Sequence, residues 1–509
     1  MISRIRSAAI CGIEVIPVDV EAGFSRGIPG MTIVGLPDNA VRESRERIRF
    51  AVRHAGYEFP AATKIVINLS PADLRKEGSA FDLPIAAALL AHQFRIHAGP
   101  RLSDFLYAGE LDLDGCLKPV RGALNLAMFA RRSRLKGIVL PAANAAEAAY
   151  VEGIEVYGFN DLRTVMAFLL NHGEFFPEAP RAFAARPETA ADFKHIRGQY
   201  TAKRVLEIAA AGFHNVLMVG PPGSGKSLLA KSLPSILPDM THEEILETSL
   251  IYSVAGMLNN RGNGMKNQRP FRSPHHTISD IGISGGGKSP VPGEITLAHN
   301  GVLFLDELPL FRRSALEVLR QPMEDGCITI SRALTSVTFP ARFMLVAAMN
   351  PLSESGRDDW ASASGTQRYS CSRRISRPLL DRIDLQIEVP RVPLQDIAST
   401  RPAEASSRVR ERVNRARKIQ LERFHGQIEA GVFANGRMGN PLVRRHCELN
   451  AESARFLHTA VERFGLSARG YFRVLRTART IADLENSTQI QTVHIQEALQ
   501  YRCRRFFDG

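Results

Sequence analysis

Gly220-Pro221-Pro222-Gly223-Ser224-Gly225-Lys226-Ser227 decides the fold. The stretch fits GxxxxGK[ST], with a β-like run at 215–219 before it and a helical run from 227 to 233 after it. That strand–loop–helix context is the one in which the motif has a mechanical meaning. Glycines let the backbone curl until successive N–H groups converge on phosphate oxygens at the positive end of the helix. Lys226 adds a charge between the β- and γ-phosphates, and the Ser227 hydroxyl is placed to ligate Mg²⁺. The predicted cofactors are ATP and Mg²⁺, in a cradle made by all eight residues of the motif.

Further along, Val302-Leu303-Phe304-Leu305-Asp306-Glu307 is an apolar run ending in two acids. Four consecutive apolar residues suit a central parallel strand covered on both faces. Such a strand delivers Asp306 to the carboxyl edge of an open α/β sheet, where ligands bind. Asp306 then becomes a second Mg²⁺ ligand, and Glu307 a general base for the attacking water. A third apolar run, 343–348, leads into Met349-Asn350, which puts an amide near the γ-phosphate or simply caps a strand. Arg382, in Pro378-Leu379-Leu380-Asp381-Arg382-Ile383-Asp384, and Arg469, in Leu466-Ser467-Ala468-Arg469-Gly470, are cations able to neutralise transition-state charge. Arginines in such positions also serve as ordinary ion-pair residues.

Around this centre the chain divides into blocks. Residues 1–170 alternate strand-like runs (13–20, 31–34, 64–69, 137–140) with helical ones (38–55, 81–92, 122–132). A Pro/Ala/Glu-rich linker at 171–190 leads to the ATPase core at 191–390. A second joint at 389–407 opens a helical block, 391–509. Between Arg401 and His425 that block carries eight Arg/Lys against three Glu, either a solvated lid helix or a DNA-facing surface.

The 509 residues are 44% hydrophobic and 23% charged, enough for more than one buried core. No apolar run reaches the ~18 residues of a membrane span. The N-terminus reads as a strand rather than a signal peptide, because Glu14 interrupts its apolar stretch. A cytoplasmic protein without membrane partners is therefore expected. Six well-separated cysteines, none in a CxxC pair, argue against a zinc cage or a disulfide framework. A net charge of +13 suits either a polyanionic partner such as nucleic acid or a dispersed basic surface.

With these residues in hand, the chain resembles the magnesium-chelatase-like AAA+ ATPases of the YifB/ComM competence-protein family. The resemblance covers nearly the whole length. It rests on Gly30-Met31-Thr32-Ile33-Val34-Gly35-Leu36-Pro37, Lys76-Glu77-Gly78-Ser79-Ala80-Phe81-Asp82, Phe271-Arg272-Ser273-Pro274-His275-His276 and Pro292-Gly293-Glu294-Ile295, together with the stretches already quoted. It implies an α/β AAA+ P-loop core with a C-terminal helical lid, preceded by a Lon-protease-like (ribosomal S5 domain 2-like) α+β domain. It further implies that Asn350 is sensor 1, Arg382 an arginine finger, Arg469 sensor 2, and that Ile196, Gly198 and Gln199 wrap the adenine. A finger acting in trans implies a homo-hexameric ring. Members similar to ComM are DNA helicases that promote branch migration during natural transformation. On that resemblance Lys288, in a glycine-rich insert, and Arg332, on a hairpin joining 328–332 to 336–339, become DNA-contact candidates in a central pore. A chelatase-like motor subunit and a protein-remodelling ATPase are the alternatives.

One departure from the Lon-type dyad and two from the family pattern stand out. Leu124 occupies the position where a Lon-type dyad would have its lysine, so Ser79 lacks a base and proteolysis is not expected. The paired cysteines that many relatives carry after sensor 1 are missing, with only Cys371 in that stretch, and no metal site is expected there. Arg377 replaces the usual glycine before PLLDR. His275-His276 is a poor metal pair because adjacent residues rarely share one metal face.

Overall fold

The computed structural model describes residues 2–96, 99–182, 191–258, 264–287, 290–331, 336–350, 375–398, 403–426 and 431–502. The chain forms two compact units that are not contiguous in sequence. One comprises Met1–Ala185, His242–Asn267 and Gly287–Pro292; the other comprises Arg186–Thr241, Gln268–Gly286 and Gly293–Gly509.

In the first unit, Ser3–Cys11 and Glu14–Ser25 form an antiparallel hairpin at the centre of a seven-stranded mixed sheet. The order is Gly30–Val34, Lys64–Ser70, Glu14–Ser25, Ser3–Cys11, Phe105–Tyr107, Gly137–Pro141, Glu155–Phe159. The Asp82–Gln93 helix is buried from Asp82 through Ala91, as a helix apolar all round must be. Against it packs the Asn39–His54 helix, which buries Val41, Ser44, Ile48, Ala51 and Val52 at helical spacing. Asp38 caps that helix by accepting from the Val41 N–H at 2.8 Å. Arg47 clamps the two helices with a bidentate pair to Asp82, at 2.9 and 3.1 Å. The His242–Val254 helix also belongs to this unit: Gly122 N–H donates to the Ser253 carbonyl at 3.0 Å, and the Ser253 hydroxyl donates to Glu147.

The second unit is built on a five-stranded parallel sheet in the order Phe271–Arg272, Val302–Leu305, Met344–Met349, Val216–Val219, Leu385–Glu388. Its three central strands are buried at every residue, as parallel strands covered on both faces require. Helices Ser406–Arg423, Asn440–His446, Ala451–Phe464, Ala468–Leu484 and Thr492–Gln500 follow. Their Val413, Leu457, Ala478 and Ile495 join the same hydrophobic cluster as Val216, Val346 and Leu385 of the sheet. The basic Ser406–Arg423 helix uses much of its charge internally. Arg412 pairs with Glu207 and Glu404 at 2.6 Å, Arg423 pairs with Asp483 at 2.6 Å, and Arg417 is buried.

Candidate active site

The P-loop strand, Val216–Val219, and the acid-bearing strand, Val302–Leu305, are not neighbours. Met344–Met349 lies between them, pairing Val219 with Met349 on one side and Leu305 with Ala347 on the other. Parallel register brings the carboxyl ends of all three to one edge. The phosphate loop, Asp306-Glu307 and Asn350 thus meet over the same edge and line a cleft of about 350 Å³.

Two glycines shape the loop. At Gly220 a Cβ would lie 2.2 Å from the Val389 carbonyl oxygen, so no larger residue fits. Gly225, with φ of +94°, turns the chain into the helix that starts at Lys226, a left-handed step that costs other residues ~1–2 kcal/mol. Lys226 is buried, and its ammonium donates to the carbonyls of Gly220 and Pro221 at 2.8 Å and to Asn350 Oδ1 at 3.0 Å. Burial pushes this ammonium down from the usual lysine range, and Asp306 opposes that shift. The cation is held between the loop and Asn350 by neutral acceptors, which triphosphate oxygens would replace. Ser227 Oγ donates to Asp306 Oδ2 at 2.6 Å. A hydroxyl and a carboxylate side by side are the hard oxygen donors that Mg²⁺ selects. The residues present therefore fit both groups: Lys226 and the loop amides would hold the phosphates, while Ser227 and Asp306 would hold the magnesium. Bound there, Mg²⁺ would supply neutralisation of phosphate charge.

Glu307 follows in a left-handed conformation, φ +52°, with its side chain half exposed at the cleft. Strained non-glycine residues of this kind concentrate at functional sites. Its carboxylate Oε2 lies 3.5 Å from His276 Nδ1, and the His276 ring packs against His275 in a tilted pair with centroids 4.1 Å apart. Neighbouring Phe271–Arg272 pairs in parallel with Val302–Leu303, which carries His276 to the same edge. The link between His276 and Glu307 had no signal in the spacing of residues.

Of the three adenine candidates, Gln199 lines a second recess of about 350 Å³ with Tyr200, Pro390 and Val392. Its side-chain N–H donates to the Ser224 carbonyl at 3.1 Å and to the Pro390 carbonyl at 2.6 Å, tying the phosphate loop to the 389–407 joint. Gly198 abuts that joint, since a Cβ there would lie 3.1 Å from Asp396 Oδ2. Ile196 is buried in the hydrophobic cluster rather than in the recess wall. The joint, read from sequence as a connector, thus supplies one wall of the recess.

Arg382 and Arg469 are not among the residues lining the cleft. Arg382 donates to the Pro378 carbonyl at 2.7 Å and pairs with Glu324. Arg469 is exposed in the first turn of the Ala468–Leu484 helix, which Ser467 caps. In the same motif as Arg382, Asp384 is buried, which pushes its carboxyl up. The His214 ring, with Nδ1 3.7 Å from the carboxylate, and the charges of Arg473 and Arg476 outweigh that burial and hold it well below the usual carboxylate range. The hairpin of Cys327–Ser331 and Ser336–Pro340 is present with Ile328 opposite Phe339, but Arg332, Lys288 and Cys371 lie outside the described residues.

Comparison with known proteins places the chain among magnesium-chelatase-like proteins. Residues 192–397 match the family model described as magnesium chelatase, subunit ChlI; residues 20–144 match subunit ChlI of Mg-chelatase; and residues 403–502 match the ChlI C-terminal model. The chain is 43% identical over 507 residues to competence protein ComM of Haemophilus influenzae, covering 98% of this chain and 96% of that protein. It is 42% identical over 509 residues to YifB of Escherichia coli, covering 99% and 97%. The magnesium-chelatase 38 kDa subunit of Rhodobacter capsulatus is 26% identical over 353 residues, covering 64% of this chain and 91% of that subunit.

Proposed function

This chain belongs to the YifB/ComM family of magnesium-chelatase-like proteins, and on that premise we propose that it is a ring-forming AAA+ motor. It hydrolyses MgATP and drives branch migration of DNA as a helicase. The observation that carries the reading is the convergence of Lys226, Ser227, Asp306, Glu307 and Asn350 on one cleft, from three separate parallel strands. In the proposal Lys226 and the loop amides bind the phosphates, Glu307 takes a proton from water, and Asn350 orients that water. Arg382 exchanges Glu324 for the γ-phosphate of a neighbour in a homo-hexamer, and Arg469 senses nucleotide from the lid. Ile196, Gly198 and Gln199 serve the adenine end. Lys288 and Arg332 contact DNA in the pore, and the motor works in the cytoplasm. No helix among the described residues is long and apolar enough to cross a membrane.

Coverage favours this over a chelatase motor subunit. The ComM and YifB relatives span 98–99% of the chain, whereas the 38 kDa chelatase subunit spans 64%. The deciding experiment is strand exchange on a synthetic three-way junction with ATP, wild type against Lys226→Ala. ATP-dependent exchange lost in the variant is expected; ATP turnover that ignores DNA, with no exchange, would favour a protein-remodelling ATPase.

A further inference from the structure

Resting on DNA as the motor's track, we infer that the first unit carries its own polynucleotide-binding surface along the Asn39–His54 helix. Arg42, Arg45, Arg49 and Arg53 are all exposed, at spacings of three, four and four residues, which places them in one stripe. Among the described residues, none of the four has a carboxylate within ion-pair distance. Arg45 meets only the carbonyls of Arg42 at 3.2 Å and Met31 at 3.4 Å.

This contrasts with how the chain treats arginine elsewhere. Arg47, on the inward face of the same helix, has its bidentate carboxylate in Asp82. Arg272 has Glu294, and Arg412 and Arg423 of the lid helix have theirs. Nor does the helix explain its own stripe. Arg53 in the last turn is favoured by the macrodipole, but Arg42 sits near the positive amino end, where a cation is disfavoured, and the first turn holds no acid. Glu43 and Glu46 lie on the adjoining flank of the amino half; the carboxyl half offers Arg49, exposed Phe50 and Arg53 without an acid between them.

The stripe ends in an open depression of about 680 Å³ whose wall includes Arg53, Gly56, Tyr57, Glu58, Phe59 and Thr63. At ~1.5 Å per residue, Arg42 to Arg53 spans ~16 Å, long enough to follow several backbone phosphates of one strand. A row of unpaired guanidiniums running into an aromatic-walled depression suits a single strand. The phosphates follow the arginines, and a base rests against Phe50 or in the depression. Glu58 in the wall disfavours a phosphate there and leaves the recess to a base.

The test measures binding of a labelled single-stranded oligonucleotide to the full-length protein as a function of salt. Arg42→Ala/Arg45→Ala/Arg49→Ala/Arg53→Ala is compared with wild type and with the matching four Arg→Lys changes. Loss of four phosphate contacts should flatten the log–log salt slope by about 3 and weaken binding at low salt on the order of 100-fold, while the lysine variant keeps the slope. DNA-free ATP turnover should be unchanged. Should it fall, Arg49→Ala/Arg53→Ala carries the test with a slope change of about 1.4. An unchanged slope while wild type binds DNA overturns the stripe alone; a wild type that binds no DNA overturns the DNA reading as well. Two other results also overturn it. One is a variant that loses labelled poly-glutamate but keeps DNA, which makes the surface an acidic-protein site. The other is a variant that loses ATP-dependent assembly, which makes it a contact between copies.

Discussion

Two serines among the described residues each come within two positions after a glycine, have a lysine close in sequence and donate to a carboxylate from a distant segment. Ser227 donates to Asp306 in the second unit, and Ser79 donates to Glu110 in the first. Their lysines separate them. Lys226 reaches into a cleft of about 350 Å³, held by acceptors that a phosphate would displace. Lys76 is wholly buried, and its ammonium donates to the Pro71 carbonyl. No lysine stands at Leu124 either; that residue is buried, and its N–H donates to Glu147 at 3.2 Å. The same three residue types make a candidate reaction centre where a cation faces open volume, and a structural knot where it does not.

Lys226→Ala should break the first half of this contrast most severely. Nucleotide binding and turnover should both vanish, as measured by fluorescent-nucleotide titration and phosphate release, while the melting temperature stays close to wild type. Retained binding would mean that the loop amides suffice and that the cleft does not depend on its cation. Glu307→Gln comes next. A general base contributes ~10²–10⁴ in rate, so turnover should fall by that factor with affinity within a few-fold of wild type. Normal turnover would remove Glu307 from the chemistry and leave its left-handed backbone without a functional reason.

What was legible in advance follows the same line. The phosphate loop, the acid-ending strand and the hairpin announce themselves because each depends on residues close in sequence. The helices of the first block, for instance Asn39–His54 read as 38–55, follow from local apolar spacing. The partners of buried polar groups were not legible. Ser253 finds Glu147 and Gly122 more than a hundred residues away, so the place of the His242–Val254 helix in the first unit was not legible. Glu110 beside Ser79, His276 beside Glu307 and Pro390 beside Gln199 are likewise tertiary facts. Met344–Met349 could be expected next to a catalytic strand, but its place between the two was fixed by sheet order, which residue spacing does not encode.

The second half of the contrast is tested at Lys76, with a smaller effect. Burial pushes this ammonium down from the usual lysine range, and Asp73 opposes the shift. Between its folded value and ~10.4 the unfolded chain holds more protons than the folded one, so stability rises with pH across that window. Below it, the cost of burying the charge is constant. Lys76→Met removes the charge, so its stability relative to wild type should be greatest near neutral pH and shrink as pH rises. Urea midpoints for both proteins from pH 7 to 10 measure this directly. A gap independent of pH would mean that the ammonium is not penalised by its burial. ATP turnover should be the same in both.

The smallest effect is expected at Ser79, where the two sites look most alike. Its hydroxyl satisfies Glu110, and removing one partner of a half-buried hydrogen bond costs on the order of 1 kcal/mol. Ser79→Ala should therefore lower the melting temperature of the first unit slightly and leave ATP turnover within two-fold of wild type. Ser227→Ala, by the same chemical change, should impair Mg²⁺-dependent turnover, because its hydroxyl shares a carboxylate with the cleft rather than with a closed knot. A Ser79→Ala protein that loses hydrolysis of an unfolded polypeptide seen in wild type would reverse the argument. The serine would then be activated by a group other than a dyad lysine, and Glu110, its hydrogen-bond partner, would be the group to replace next.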